Sequence, residues 1–257
     1  MSKVICPLSI VPMRSEPNDR AELVSQWLFG ETADVIDTKG NWSRLRCDHD
    51  GYEGWVDHKQ ILPCSTPNFD PDLRVIDHST IVDLGERQVP LTYGAVLPFY
   101  EDGTILWQGH RVPVQAVTNH KPALERADLL ELYLHPFLGA PYLWGGRTPW
   151  GVDCSGLVQM IFILMGIYLP RDASQQSAEG DSIDLLDLCE PGDLVFFDNE
   201  EGQIVHVGIV LTRNEEDDLQ VVHASGRVRV DKLDQQGIFN GEEGKYTHKL
   251  RMVRRVL

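Results

Sequence analysis

The stretch GVDCSGLVQMIFILMG, residues 151–166, decides how the rest of the chain is read. From Gly156 onward it is apolar nearly all round, which predicts a helix buried on every side. Asp153 is a good N-cap residue, so Cys154 falls in the first helical turn. Unpaired backbone N–H groups and the positive end of the helix dipole favour a thiolate there, and the charge of Asp153 opposes it. On these grounds alone Cys154 is either a small buried hydrophobe or a nucleophile.

A nucleophilic cysteine needs a base and a group that orients the base. Two strand-like runs downstream offer both. In IVHVGIVL (204–211), alternation places Ile204, His206, Gly208 and Val210 on one face. In LQVVHAS (219–225), Val221, His223 and Ser225 share a face. If the runs pair antiparallel, the two imidazoles lie side by side, and Gly208 leaves space for the approach. One ring is then the base and the other its orienter.

Bulk composition narrows the function. The chain has 257 residues, 42% hydrophobic and 24% charged, as in an ordinary globular protein. Its net charge of −16 argues against nucleic acid as a partner. The basic stretches RVRVDK, near residue 230, and RMVRR, at the C-terminus, alternate with apolar residues and read as solvent faces of strands. The five cysteines are odd in number and lack C-x-x-C spacing, so neither a disulfide framework nor a zinc site is expected. The longest apolar run is too short to span a bilayer, and no membrane partner is expected. The N-terminus reads as the first strand of a domain and not as an export signal, so the expected location is the cytoplasm.

Residues 1–63 read as all-β, with a hairpin in GNWSRLRCDHDGYEGWVDHKQI: Trp42, Leu45 and Cys47 precede the DHDG turn, and Trp55 and Val56 follow it. PCSTPNFDPDL (63–73) reads as a linker. Residues 64–118 read as a second small SH3-like β-barrel or a β-rich linker domain, with a DG hairpin in YEDGTILWQG. Residues 119–257 change character. KPALERADLLELYLHPFL predicts an amphipathic helix with apolar residues at 124, 129, 130, 132, 133 and 134. LPRDASQQSAEG reads as a loop and short helix. GDLVFFD, IVHVGIVL, LQVVHAS and HKLRMVRRVL read as strands. The expected fold class is α+β: a cysteine-bearing helix packed on an antiparallel sheet, preceded by one or two SH3-like barrels.

Taken together, PYLWGGRTPWGVDCSGLVQ, GIYLPRDASQQ, PGDLVFF, HVGIVL and VVHASG resemble the NlpC-type family of papain-like cysteine peptidases, over roughly residues 120–257. NWSRLRC, GYEGWV and the ILP exit strand resemble a bacterial SH3-like barrel. The resemblance implies that Cys154 is the nucleophile, His206 the general base and His223 the orienting residue. It implies a small murein peptide as substrate and no cofactor or metal. The combination further resembles the cytoplasmic recycling branch, whose members release L-Ala-γ-D-Glu from free muropeptides with an unblocked N-terminal L-Ala. In that branch the SH3-like domain closes one end of the cleft and one of its tyrosines contacts the substrate amine.

By the same resemblance Tyr52 is that tyrosine, with Glu22 as its acidic partner and Glu16 as the alternative. Tyr142, Trp144, Asp153, Ser155 and Asp172 fall on substrate-lining positions. Ala173 stands where related enzymes can carry a serine. A buried ammonium needs a carboxylate beside it, and Asp153 fits that need. Three rival readings stay open on the sequence: an amidase or acyltransferase on the same scaffold, a non-catalytic wall-peptide binding module, and a metalloenzyme using His206 and His223.

Overall fold

A computed structural model describes residues 2–64, 71–119 and 124–256. The chain divides into two compact units, Met1–Pro122 with Trp144–Thr148, and Ala123–Leu143 with Pro149–Leu257. Most of the linker expected at 63–73 lies outside the described residues.

The first unit begins with seven strands: β1 (Ser2–Ile5), β2 (Ile10–Arg14), β3 (Leu23–Leu28), β4 (Thr32–Lys39), β5 (Trp42–Cys47), β6 (Glu53–Asp57) and β7 (Leu62–Pro63). They form one antiparallel sheet in the order β3-β2-β6-β5-β4-β1-β7. Strict alternation along β5 turns Ser43, Leu45 and Cys47 inward. Trp42 is out of step with Leu45 and lies on the outer face, as does Trp55, which pairs with Arg44. This corrects the grouping of Trp42 with Leu45 and Cys47. The inward residues enclose a core with Val11, Met13, Trp27 and Val56.

Two hairpins follow, β8 (Ile81–Asp83) with β9 (Gln88–Pro90), and β10 (Thr104–Trp107) with β11 (His110–Pro113). The expected DG turn forms at Asp102–Gly103, closed by a bridge between Glu101 and Thr104. A second tight turn at Gln108–Gly109 joins β10 to β11. At each turn both residues take the positive φ that a two-residue hairpin loop requires. The hairpins share a core with the first sheet: Phe29 stacks on Trp107 with centroids 4.7 Å apart, and Ile5 belongs to the same cluster. The short strand β12 (Arg147–Thr148) also belongs to this unit.

The second unit starts with helix α1 (Arg126–Leu134). Leu130, Tyr133 and Leu134 face its core, together with Phe137 beyond the helix end. Leu124 and Leu132, expected on the apolar face, are exposed. After β13 (Gly151–Val152) comes α2 (Cys154–Leu164), in which every residue is buried, as its all-round apolar sequence demands. Asp153 Oδ1 accepts from the Gly156 N–H at 2.7 Å, the expected N-cap. Gly166, at φ +82°, supplies the left-handed residue that ends the helix. A short helix α3 (Ala173–Gln176) follows.

Seven strands complete the unit: β14 (Asp181–Ile183), β15 (Leu194–Asp198), β16 (Ile204–Val210), β17 (Gln220–Ser225), β18 (Arg227–Asp234), β19 (Gly237–Asn240) and β20 (Lys245–Arg255). They run antiparallel in the order β14-β20-β15-β16-β17-β18-β19. The eleven-residue β20 pairs with β15 toward its C-terminal end and with β19 toward its N-terminal end. Strands β15 to β20 therefore close on themselves, which removes free edges. Five of the seven strands were expected, β18 among them as the run RVRVDK. Helix α2 packs against β16 and β17, so the cysteine-bearing helix lies on the strands that carry both histidines. Among the described residues no helix is long and apolar enough to cross a membrane.

Candidate active site

Strand pairing places His223 directly opposite Gly208. A Cβ on Gly208 would sit 2.6 Å from Val221 Cγ2 and 3.3 Å from His223 Cβ, so glycine is what lets the strands meet with His223 in place. His206, two residues before Gly208, then reaches its neighbour: His206 Nε2 and His223 Nδ1 are 2.9 Å apart, with the ring planes nearly perpendicular. Both rings are buried. Burial, with the nearby His248 and His223, lowers the pKa of His206 well below the usual imidazole value.

Cys154 is buried at the start of α2. Burial first, and the charge of Asp153 second, push its thiol up to about 11. Backbone N–H groups of Val207 and Ser155, and the charge of Arg171, pull in the other direction without prevailing. The balance left open by the helix start falls on the side of the neutral thiol. Val207 adjoins His206, so the same strand supplies an amide to the sulfur and the histidine next to it. The Tyr142 hydroxyl is pushed up to about 12 by burial and by the charges of Cys154 and Asp153.

The carboxylate of Asp153 is fully engaged. Arg171 grips both its oxygens, at 3.0 and 2.6 Å, while Oδ1 also caps Gly156. The Ser155 hydroxyl accepts from Arg171 at 2.8 Å and donates to Asp153 at 3.3 Å. A ligand ammonium approaching Asp153 would therefore meet an ion pair rather than a lone carboxylate. Asp172 is the N-cap of α3 and forms a capping box with Gln175. Ala173, beside it, is buried.

Tyr52, Glu22 and Trp144 belong to the first unit. Trp144, although 59% exposed, donates its indole N–H to Glu22 Oε1 at 2.6 Å, which brings two of the expected residues together. Glu16, the alternative to Glu22, is exposed. The backbone N–H of Tyr52 donates to Asp50, in the turn between β5 and β6. The Trp144–Thr148 segment is anchored by the buried Arg147, which donates to Gln26 O at 2.8 Å and to both Glu31 oxygens at 3.0 and 3.1 Å. Burial alone would raise the pKa of Glu31; Arg147, His49 and Arg74 outweigh it and hold the carboxyl at about 2.

Sequence reasoning missed four side chains here: Asp231, Arg229, His248 and Arg171. Asp231 Oδ2 lies 3.0 Å from His223 Nε2, on the side away from His206. Arg229 clamps Asp231 through Nε at 2.6 Å and a second nitrogen at 2.9 Å. Both residues belong to RVRVDK, so that stretch is not a plain solvent face. Its Asp231 is buried and Arg229 is turned inward onto it. The available signal was the period-two spacing of Arg229 and Asp231 beside a strand carrying a histidine. His248 stacks on His206, and its Nδ1 is 2.9 Å from Thr247 Oγ1.

Ring nitrogens of His206, His223 and His248 lie within 4.8 Å of one another, the kind of grouping that can hold a metal ion. The His206 and His248 planes are only 23° apart, however, so their in-plane lone pairs run side by side instead of converging. One nitrogen of His206 and one of His223 are also spent on each other. A second group, Cys47, His49 and Asp50, has its thiol raised well above the usual value by burial and its imidazole set against Asp50 at 3.3 Å. The geometry of neither group favours a bound cation.

The NlpC/P60 family pattern matches residues 139–242, and a bacterial dipeptidyl-peptidase SH3 domain matches residues 13–61. A γ-D-glutamyl-L-lysine dipeptidyl-peptidase of Bacillus subtilis is 31% identical over 203 residues, covering 72% of this chain and 68% of its own. The chain belongs to the NlpC/P60 family of cysteine peptidases. A Bacillus cereus protein of the same description is 28% identical over 74% of this NlpC/P60 chain and 65% of its own. The chain thus spans about two thirds of the length of these relatives. The crystal structure of an NlpC/P60 family protein from Bacillus cereus superposes with a TM-score of 0.78 at 21% identity, covering all of both chains, and shows the same fold.

Proposed function

We propose that the protein is a γ-D-glutamyl-diamino acid endopeptidase that releases L-Ala-γ-D-Glu from free murein peptides in the cytoplasm. The observation that carries this reading is the pairing of His206 and His223 at 2.9 Å on the strands against which α2 presents Cys154. The γ-D-glutamyl-L-lysine dipeptidyl-peptidase activity of the Bacillus relatives supports the bond chosen.

In this reading the Cys154 sulfur attacks the γ-carbonyl carbon of D-Glu as His206 takes the thiol proton. The tetrahedral oxyanion accepts from backbone N–H at the start of α2, where the first helical amides lack intrahelical partners. The C–N bond breaks, the amine leaves with the proton from His206, and a thioester remains. Water, deprotonated by His206, attacks the thioester and releases the γ-carboxylate and the Cys154 thiol. Because the resting pair is neutral, proton transfer accompanies attack rather than preceding it.

In this reading Tyr52, Glu22, Tyr142, Trp144, Asp153, Ser155 and Asp172 contact the substrate. The chain is then an SH3-like barrel at 1–63, a second barrel at 64–118 and a peptidase domain at 119–257. The deciding experiment offers free L-Ala-γ-D-Glu-diaminopimelate, its N-acetylated form and intact sacculus. Release of dipeptide from the free peptide alone, lost in Cys154→Ala, is the expected result. Equal cleavage of all three, or activity in Cys154→Ala, refutes it.

A further inference from the structure

We infer that Asp231 is a positioning residue that sets the proton positions on both histidines, leaving the remaining ring nitrogen of His206 free to act as the base. The inference rests on the peptidase reading above and adds a residue to it.

An ionised carboxylate only accepts hydrogen bonds. Asp231 is ionised: burial alone would raise its pKa, but His223 and the two-pronged grip of Arg229 bring it below the usual value. Arg229 is itself held by Glu242 at 3.0 Å and Asn240 at 2.9 Å, so the carboxylate has a fixed orientation.

At 3.0 Å from Asp231 Oδ2, His223 Nε2 must be the donor, which puts its proton there. A neutral imidazole carries one N–H, so with His223 in that form its Nδ1 is a lone-pair acceptor. The partner 2.9 Å away, His206 Nε2, must in turn donate. His206 is neutral in its buried setting, so its proton is on Nε2 and its Nδ1 carries the lone pair. One carboxylate therefore fixes two tautomers in series. Without it, His223 is free to protonate Nδ1. His206 Nε2 then becomes the acceptor, and the proton on His206 moves to the nitrogen needed as base. The arrangement extends the cysteine–histidine–orienter logic by one further group.

The test uses the full chain and two readouts. Long-range proton–nitrogen NMR on Cys154→Ala, which needs no turnover, is expected to show His206 protonated at Nε2. Adding Asp231→Ala is expected to give mixed or reversed tautomers at both rings. In the active protein Asp231→Ala is expected to lower kcat by about 10- to 100-fold with KM nearly unchanged. Asp231→Glu is expected to recover part of the loss. An unchanged His206 nitrogen pattern in the Asp231→Ala background, or an unchanged kcat, overturns the inference. If the alanine variant does not fold, Asp231→Leu, which fills the site and has no acceptor atom, carries the same two measurements. Failure of the peptidase reading would show separately, as turnover that survives Cys154→Ala.

Discussion

His248 lies flat against His206, with ring centroids 4.2 Å apart and planes 23° apart. The stack lays a neutral ring against the candidate base: burial and the proximity of His223 outweigh the charge of Asp231 and lower the His248 pKa to about 4. A neutral aromatic surface is what the contact supplies. His248→Phe should therefore keep most of the activity. His248→Ala should release the His206 ring and lower kcat about fivefold, the size of an aromatic pair worth about 1 kcal/mol. Steady-state kinetics on the two variants checks this, and equal losses in both would show that the imidazole itself matters.

Acid should destabilise the fold through the same pair. In the unfolded chain both histidines take a proton near pH 6.5, whereas in the folded chain His206 and His248 resist it. The unfolded state then binds more protons, so stability falls as the pH drops from about 6.5 to about 4. Urea unfolding at about pH 7 and about pH 5 should show the loss. His248→Phe should flatten part of that slope. The acid limb of kcat/KM should likewise lie below the ordinary imidazole value, because His206 stays unprotonated there.

The helix start, the two histidine strands and the role of Gly208 could be read from the sequence because each depends on local spacing. Asp231 and Arg229 could not be, because their burial follows from register: His223 pairs with Arg229, which puts Asp231 diagonally behind the ring. A basic alternating strand looks the same from sequence whether or not a histidine lies opposite. His248 was hidden for a related reason. The ladders on both sides of β20 contain bulges, at Phe196/Phe197 and at Ile238/Phe239, and a bulge shifts which side later residues face. Arg171 was visible in LPRD, but only the fold brings it to Asp153, 18 residues earlier in the chain.

Gly208→Ala tests the close approach of β16 and β17. The added methyl would meet Val221 Cγ2 at 2.6 Å, the Val222 carbonyl oxygen at 3.0 Å and His223 Cβ at 3.3 Å. The valine methyl can turn aside, but the carbonyl belongs to the sheet. A stability loss of about 1–3 kcal/mol is expected, with His223 displaced from His206. Thermal melting measures the first effect, and a fall in kcat larger than that of a distant mutation of equal destabilisation measures the second.

Asp153 and Arg171 make the last case, because removing either partner should shift the Cys154 thiol in opposite directions. Arg171→Ala leaves the Asp153 carboxylate buried without its cation and should cost about 3–5 kcal/mol. It also removes a positive charge that lowers the Cys154 pKa, so alkylation of the thiol by iodoacetamide should slow. Asp153→Asn does the reverse at the sulfur. It removes the charge that raises the thiol pKa and leaves Arg171 unneutralised nearby, while an amide oxygen can still cap Gly156. Each pKa unit by which the thiol falls raises the thiolate fraction about tenfold below its pKa, so alkylation at about pH 8 should accelerate markedly. An Asp153→Asn rate equal to or below that of the unaltered protein would show that burial, and not this carboxylate, governs the nucleophile.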